Sequence, residues 1–311
     1  MTNTTKEIFE KHEIRKTAEQ KKSFREYLIS YASSQGYDAK EESFSKNAAN
    51  VVVGDPKAAD VIYTAHYDTC ATMPFPNFIT PKCFPIYLAY QLILTTVMFI
   101  IPIMIMFVGA PIVLRYTESN SLYTLTMLGG YALLWLILFL MMNGPANKHT
   151  ANDNTSGVTL LIDIITDLPA EERGKAAFIF FDLEERGTVG SKKYKKKHPT
   201  IAKTKPIINF DCVSDGKNIL FVAKKNAADI APKIEEAFKS NNTYTVEVAT
   251  KGVFYPSDQR NFDLGVGVAA LNSTKSGILY MNKIHTPRDT VYDEENIEFL
   301  KNGAIELTKI I

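Results

Sequence analysis

Cysteine is scarce in this chain: Cys70, Cys83 and Cys212 are the only three in 311 residues. An odd set without ligand-like spacing argues against a disulfide framework and suits a reduced compartment. A surplus of either charge is missing too, with 35 basic residues against 34 acidic ones, so no nucleic-acid partner is expected. There is no repeat and no low-complexity tract. The N-terminal stretch MTNTTKEIFEKHEIRK is charged from its start and lacks the apolar centre of a secretory signal. The most informative absence is local. No charged residue occurs from Cys83 to Leu114, and none from Ser119 to Asn147. A mean hydropathy near zero hides this segregation.

Each uncharged run exceeds the roughly 20 apolar residues that cross a bilayer core. Only Arg115–Glu118 and the polar Ser119-Asn120-Ser121 separate them. Pro102 and Pro111 are expected to kink or end the first helix, and lipid-embedded helices tolerate both. Tyr87, Tyr90, Tyr116, Tyr123 and Tyr131 include interface anchors. The expected organisation is a transmembrane helical hairpin at residues 83–143, meeting the lipid bilayer through residues 84–142. It interrupts a discontinuous domain formed by residues 1–82 and 144–311. The alternative is a helical pair buried inside a soluble protein. Lys82 and Lys148 flank the hairpin on one side, so the positive-inside rule puts the larger domain in the cytoplasm and Arg115–Ser121 outside.

Outside the hairpin, short apolar runs alternate with helical patterns. Lys6–Ser34 reads as one amphipathic helix. Val51–Val53, Val61–Ala65, Ala177–Phe181, Ile207–Phe210, Ile219–Ala223, Thr243–Ala249 and Val266–Leu271 read as strands. Val158–Leu168, Ala227–Ser240 and Glu294–Ile310 read as helices, and Lys192–Lys197 as a solvated helix face that could also sit near anionic headgroups. This alternation predicts an α/β fold with a mixed, mostly parallel central sheet and helices on both faces.

Several strands end in groups that do chemistry. Ala177–Phe181 breaks at Asp182 into Glu184-Glu185, Val61–Ala65 ends in His66-Tyr67-Asp68, and Ile207–Phe210 ends in Asp211. Asp153 precedes a helix, and His285 opens the loop His285-Thr286-Pro287-Arg288-Asp289-Thr290. Singly, each has a plain structural explanation: an acidic turn, a satisfied histidine, a helix cap. Together, His66, Asp153, Glu185, Asp211 and His285 are a mixed nitrogen and oxygen donor set that suits zinc first, with manganese or cobalt as substitutes. One ion with an open water position needs fewer ligands. Two ions sharing a carboxylate use all five, which leaves Glu184 free to act as a base.

These motifs, in this order, resemble the co-catalytic zinc aminopeptidase family, whose relatives include glutamate carboxypeptidase and glutaminyl cyclase. The corresponding residues are His66-Tyr67-Asp68, Asp153-Asn154-Thr155-Ser156-Gly157, Glu184-Glu185-Arg186-Gly187, Asp211 and His285-Thr286-Pro287-Arg288-Asp289-Thr290. The resemblance implies that Asp153 bridges two zinc ions, with His66 and Asp211 at one and Glu185 and His285 at the other. It further implies that Asp68 orients His66 and that Glu184 is the general base. Family members often carry Ser-Asp-His where this chain has Ser257-Asp258-Gln259, which bears on substrate contact near Tyr255–Gln259. The implied function is that of a membrane-anchored aminopeptidase acting on peptides with a free N-terminus. The alternatives are a glutaminyl-cyclase-like or other exo-acting amidohydrolase, and a catalytically inactive membrane scaffold.

Overall fold

The computed structural model describes residues Met1–Ile311. The strands are β1 (Ala39–Ser45), β2 (Ala48–Val53), β3 (Val61–His66), β4 (Ala176–Phe181), β5 (Ile207–Phe210), β6 (Asn218–Ala223), β7 (Thr245–Ala249), β8 (Gly265–Ser273) and β9 (Leu279–Tyr280). They form one mixed sheet in the order β1-β2-β4-β3-β5-β8-β6-β7, with β9 on β8. The central strands β4, β3, β5 and β8 run parallel, whereas β1, β2, β6 and β9 join antiparallel to their inner neighbours.

Every residue of β2, β3, β4 and β5 is buried, the reason these segments read as largely apolar runs, unbroken in β4. Alternate residues feed two layers. Val61, Tyr63, Phe178 and Phe180 pack with Phe24, Leu28, Leu161 and Leu300 from the helices of one face. Ile62, Ala177, Ile179 and Phe181 pack with Tyr194, Ile201 and Phe262 on the other. Burying side chains of this size stabilises the fold by about 1.5–3 kcal/mol each. The predicted α/β sandwich is therefore the observed one.

Three local expectations change. The expected helix Lys6–Ser34 is two helices, Asn3–Lys11 and Ala18–Ser34. The second starts at a capping box in which Thr17 Oγ1 accepts from the Gln20 N–H and Gln20 Oε1 accepts from the Thr17 N–H. The break serves Arg15, whose fully buried guanidinium donates to the carbonyls of Tyr67 and His12 and to the Thr155 hydroxyl. The segment Ala227–Ser240 is a 3-10 turn followed by a short helix, Ala231–Ala237, because Pro232 has no N–H to continue the turn and is accommodated at a helix start. The charged β1, unread in the sequence, is an edge strand with mostly exposed side chains.

The uncharged runs form helices Phe84–Thr117 and Asn120–Asn143, joined through Glu118 in a left-handed conformation. Neither Pro102 nor Pro111 ends the first helix. Between them Ile105–Gly109 widens into a π turn, with the Ala110 N–H bonded to the Ile105 carbonyl, and the helix resumes. The buried residues of the pair are Pro102, Met106, Ala110 and Gly130. A Cβ on Gly130 would lie 2.4 Å from Met106 Cγ and 3.1 Å from the Pro102 carbonyl oxygen, so glycine lets the helices touch there. The outer surface is uncovered: Phe107, Leu125 and Trp135 are 69%, 65% and 68% exposed. The pair is largely unburied in this structure, and both helices are candidate membrane spans by length and composition.

Candidate metal centre

The parallel register of β4, β3 and β5 brings their C-terminal ends together. His66 closes β3 opposite Phe181, Glu184 and Glu185 follow β4, and Asp211 follows β5. A helix start brings Asp153 to the same edge, and the loop before Glu294–Ile310 brings His285. All five predicted ligands converge. His66 Nε2 lies 3.3 Å from Asp153 Oδ1 and 3.4 Å from Asp211 Oδ1. His285 Nε2 lies 3.0 Å from Asp153 Oδ2 and 3.3 Å from Glu185 Oε2. Each oxygen of the Asp153 carboxylate thus faces a different imidazole.

Backbone hydrogen bonds fix this arrangement. Asp289 accepts the N–H groups of Asn152 and Asp153 at 2.8 and 3.0 Å. Asn154 Oδ1 accepts from the Gly157 and Cys212 N–H groups, tying the helix start to the end of β5. Gly157 is needed at that junction, since a Cβ there would lie 2.4 Å from the Phe210 carbonyl oxygen. Asp68 accepts from the N–H groups of Glu184 and Glu185 at 2.9 and 3.2 Å. Its carboxylate is 3.6 Å from His66 Nδ1, while its own backbone carbonyl is nearer that nitrogen, at 3.1 Å. Asp68 therefore acts on the Glu184-Glu185 turn as much as on the imidazole. Leu183, Cys212 and His285 have left-handed φ values of 57°, 57° and 64°, so the chain is strained at the candidate ligand His285, beside the candidate ligand Asp211 and beside Glu184.

The electrostatics of the clustered side chains are adverse. Burial pushes Glu184 well above the usual carboxylate range and Glu185 up to about 8. Burial also opposes charge on Asp153, but hydrogen bonds from His285 and His66 outweigh it and lower its pKa. For His285, burial is outweighed by the Glu185 charge and the Asp153 hydrogen bond, which raise it to about 10. Protons on the imidazoles thus do the neutralising that a cation would do. Glu185 Oε1 is buried without any hydrogen-bond partner. Two donors about 2.0–2.1 Å from a tetrahedral zinc lie roughly 3.3 Å apart, which matches the separations here. The residues fit divalent ions at two adjoining positions.

Glu184 belongs to neither donor cluster. It lines a cavity of about 220 Å³ together with all five candidate ligands, Asn77 and Tyr255. Gln259, by contrast, points away from the cavity: it donates to the Tyr255 carbonyl, accepts from Asn209 Nδ2 and packs on Gly267. The Ser-Asp-Gln departure therefore rebuilds the sheet interior, not the cavity wall.

Sequence reasoning missed Arg15, Asp289 and Cys70. Asp289 lies within the His285–Thr290 motif, where the sequence alone gives it no role. Arg15 had no signal, being one cation in a charged stretch. Cys70 has no ligand-like spacing in the sequence, yet the fold carries it to the site. Its sulfur clusters with Glu185 and His285, donor atoms within 4.8 Å of one another, although the three come from separate loops.

Residues 140–307 match peptidase family M28. The chain belongs to that family. As an M28 member it carries Asp153, Glu184, Glu185, Asp211 and His285 inside the matched region, whereas His66 and Asp68 lie before the hairpin. The resemblance read from the motifs is borne out, and with it the assignment to a family of peptidases. No curated protein matches the chain. Among solved structures, the LapA aminopeptidase of Legionella pneumophila is 13% identical with a TM-score of 0.58, over 98% of this chain and 67% of that one. A Zn-dependent exopeptidase from Parabacteroides distasonis is 16% identical with a TM-score of 0.56, over 98% and 97%. A glutaminyl cyclase from Porphyromonas gingivalis is 14% identical with a TM-score of 0.56, over 94% and 90%. At these identities the likeness speaks for the fold.

Proposed function

We propose that this M28 protein is a membrane-anchored aminopeptidase that hydrolyses the first peptide bond of substrates with a free N-terminus, using two zinc ions. The observation that carries the reading is the Asp153 carboxylate, which faces His66 with one oxygen and His285 with the other. His66, Asp153 and Asp211 would hold one ion, and Asp153, Glu185 and His285 the second. When bound, the ions supply Lewis acidity toward the scissile carbonyl and lower the pKa of water. Glu184, on the cavity wall but outside both ligand sets, takes a proton from the attacking water and passes it to the leaving nitrogen. Asp68 keeps Glu184 in place through its backbone N–H, and Asp289 does the same for Asp153. The surrounding carboxylates favour a cationic substrate amine. A glutaminyl-cyclase-like reaction is the second reading, since cyclases share the fold. Two complete donor sets favour the first.

The hairpin is read as an insertion that spans the bilayer. The chain enters and leaves it side by side: Ala71 bridges Ala146, the Thr72 N–H bonds the Pro145 carbonyl, and the Asn147 N–H bonds the Cys70 carbonyl. Insertions are tolerated where loop ends are already close. The foot of the hairpin also reaches the centre. Met141 and Met142 line a second cavity of about 220 Å³ shared with Glu185, His285, Met73 and Leu183. Tyr90 donates to the Pro76 carbonyl, and Gln91 donates to Asn77 Oδ1, so the first helix braces a wall of the first cavity. The active site would then lie at the membrane surface, with the catalytic domain cytoplasmic.

Glu184→Gln is expected to keep its metal and lose about 10²–10⁴-fold in kcat on aminoacyl chromogenic substrates, while Glu185→Gln loses metal. Equal metal loss in both variants would contradict the separate roles, and turnover confined to cyclisation of N-terminal glutamine would favour the second reading. Replacing Phe84–Asn143 by a short Gly/Ser linker should give a detergent-independent protein that binds metal but has lower kcat/KM, because the Asn77 wall is no longer braced. Failure to fold would show that the hairpin is part of the core. In intact cells, a Ser119→Cys variant should react with an impermeant thiol reagent; protection at that position with labelling of the catalytic domain would reverse the topology.

A further inference from the structure

Two sulfurs lie at the metal centre, and their surroundings differ. Cys212 Sγ donates to Asp211 Oδ1 at 3.2 Å and is one residue from a ligand already counted. Cys70 is 5% exposed, and its sulfur joins a carboxylate oxygen of Glu185 and a ring nitrogen of His285 in a cluster within 4.8 Å. This trio is distinct from the His66, Asp153 and Asp211 trio of the other position. A separate observation at the same place also points to a ligand: Glu185 Oε1 is buried and has no hydrogen-bond partner. Cys70 is held where it stands. Its carbonyl accepts the Asn147 N–H, and the next residue, Ala71, is bridged to Ala146 at the hairpin foot.

We propose that Cys70 is a further ligand of the ion at Glu185 and His285, so that the two metal positions are chemically unequal, one with nitrogen and oxygen donors only and one with sulfur. The inference rests on the two-ion reading above. On coordination the thiol gives its proton to solvent, and a sulfur lone pair forms the metal–sulfur bond. A thiolate favours zinc and cadmium over manganese or magnesium. It also adds negative charge at its own ion, which leaves the His66 and Asp211 position the stronger Lewis acid. Metal selectivity and Lewis acidity are then divided between the two positions.

The test is absorption spectroscopy of the full-length protein loaded with Co²⁺. The unmodified protein should show a near-ultraviolet sulfur-to-cobalt charge-transfer band in addition to the visible cobalt bands. Cys70→Ser should lose the near-ultraviolet band, keep visible absorption from the other position, and bind one Cd²⁺ more weakly. The loss should be at least the roughly 10–100-fold that removal of an outer-shell partner costs. Should Cys70→Ser fail to fold, Cys212→Ser asks the same question of the other sulfur and should keep the band. A missing band in the unmodified protein, a band that survives Cys70→Ser, or one lost in Cys212→Ser overturns the proposal. Absence of all cobalt absorption would instead defeat the metal reading itself.

Discussion

A carboxylate buried between two imidazoles constrains nearly everything around it. Asp153 has little solvent to stabilise its charge, and its oxygens are taken up by His66 and His285. Asp211 and Glu185 approach the same ring nitrogens, Nε2 of His66 and Nε2 of His285, so negative charge accumulates where the dielectric is low. Only positive charge delivered into the middle relieves this, either as protons on the rings or as divalent ions. The supporting bonds make sense in that light. Asp289 fixes the backbone of Asp153, Asn154 ties it to the end of β5, and Asp68 sets the turn that carries both glutamates. Each holds a peptide group, which leaves the ligand atoms themselves free for an ion.

The sheet supplies the platform, and its parallel centre is what makes the site possible. Adjacent parallel strands end on the same edge, so β4, β3 and β5 deliver their polar terminal residues within a few ångströms without long loops. The hairpin grows from that same edge. Its exposed apolar surface makes it a candidate membrane span, and its foot meets Asn77 and the second cavity beside the candidate site. Loss of the hairpin would thus remove both candidate spans and also the brace on the cavity wall.

Much of this was legible in the sequence because it follows from burial. Unbroken runs such as Ala177–Phe181 mark two-sided strands, and the polar residue that ends each run marks the site edge. The hairpin was legible for the same reason, by its lack of charge. What remained hidden depends on contacts between distant segments. Arg15 breaks an apparently continuous helix because its partners, Tyr67 and Thr155, are remote in the chain. Cys70 meets Glu185 and His285 only after three loops converge, so no spacing rule finds it. Gln259, seen in the sequence as a departure near the substrate, is turned inward onto Gly267 by bonds that only the folded sheet provides. Pro102 and Pro111 are expected to kink or end the helix, which instead continues through a π turn between them.

The central claim is that one carboxylate holds two ions. It is tested most directly by counting zinc per chain, by mass spectrometry of the native protein, in the unmodified protein and in Asp153→Ala. The account predicts two ions in the first and loss of most of both in the second, although His66, Asp211, Glu185 and His285 are all still present. A single ion in the unmodified protein, or a full pair retained by the variant, would contradict it.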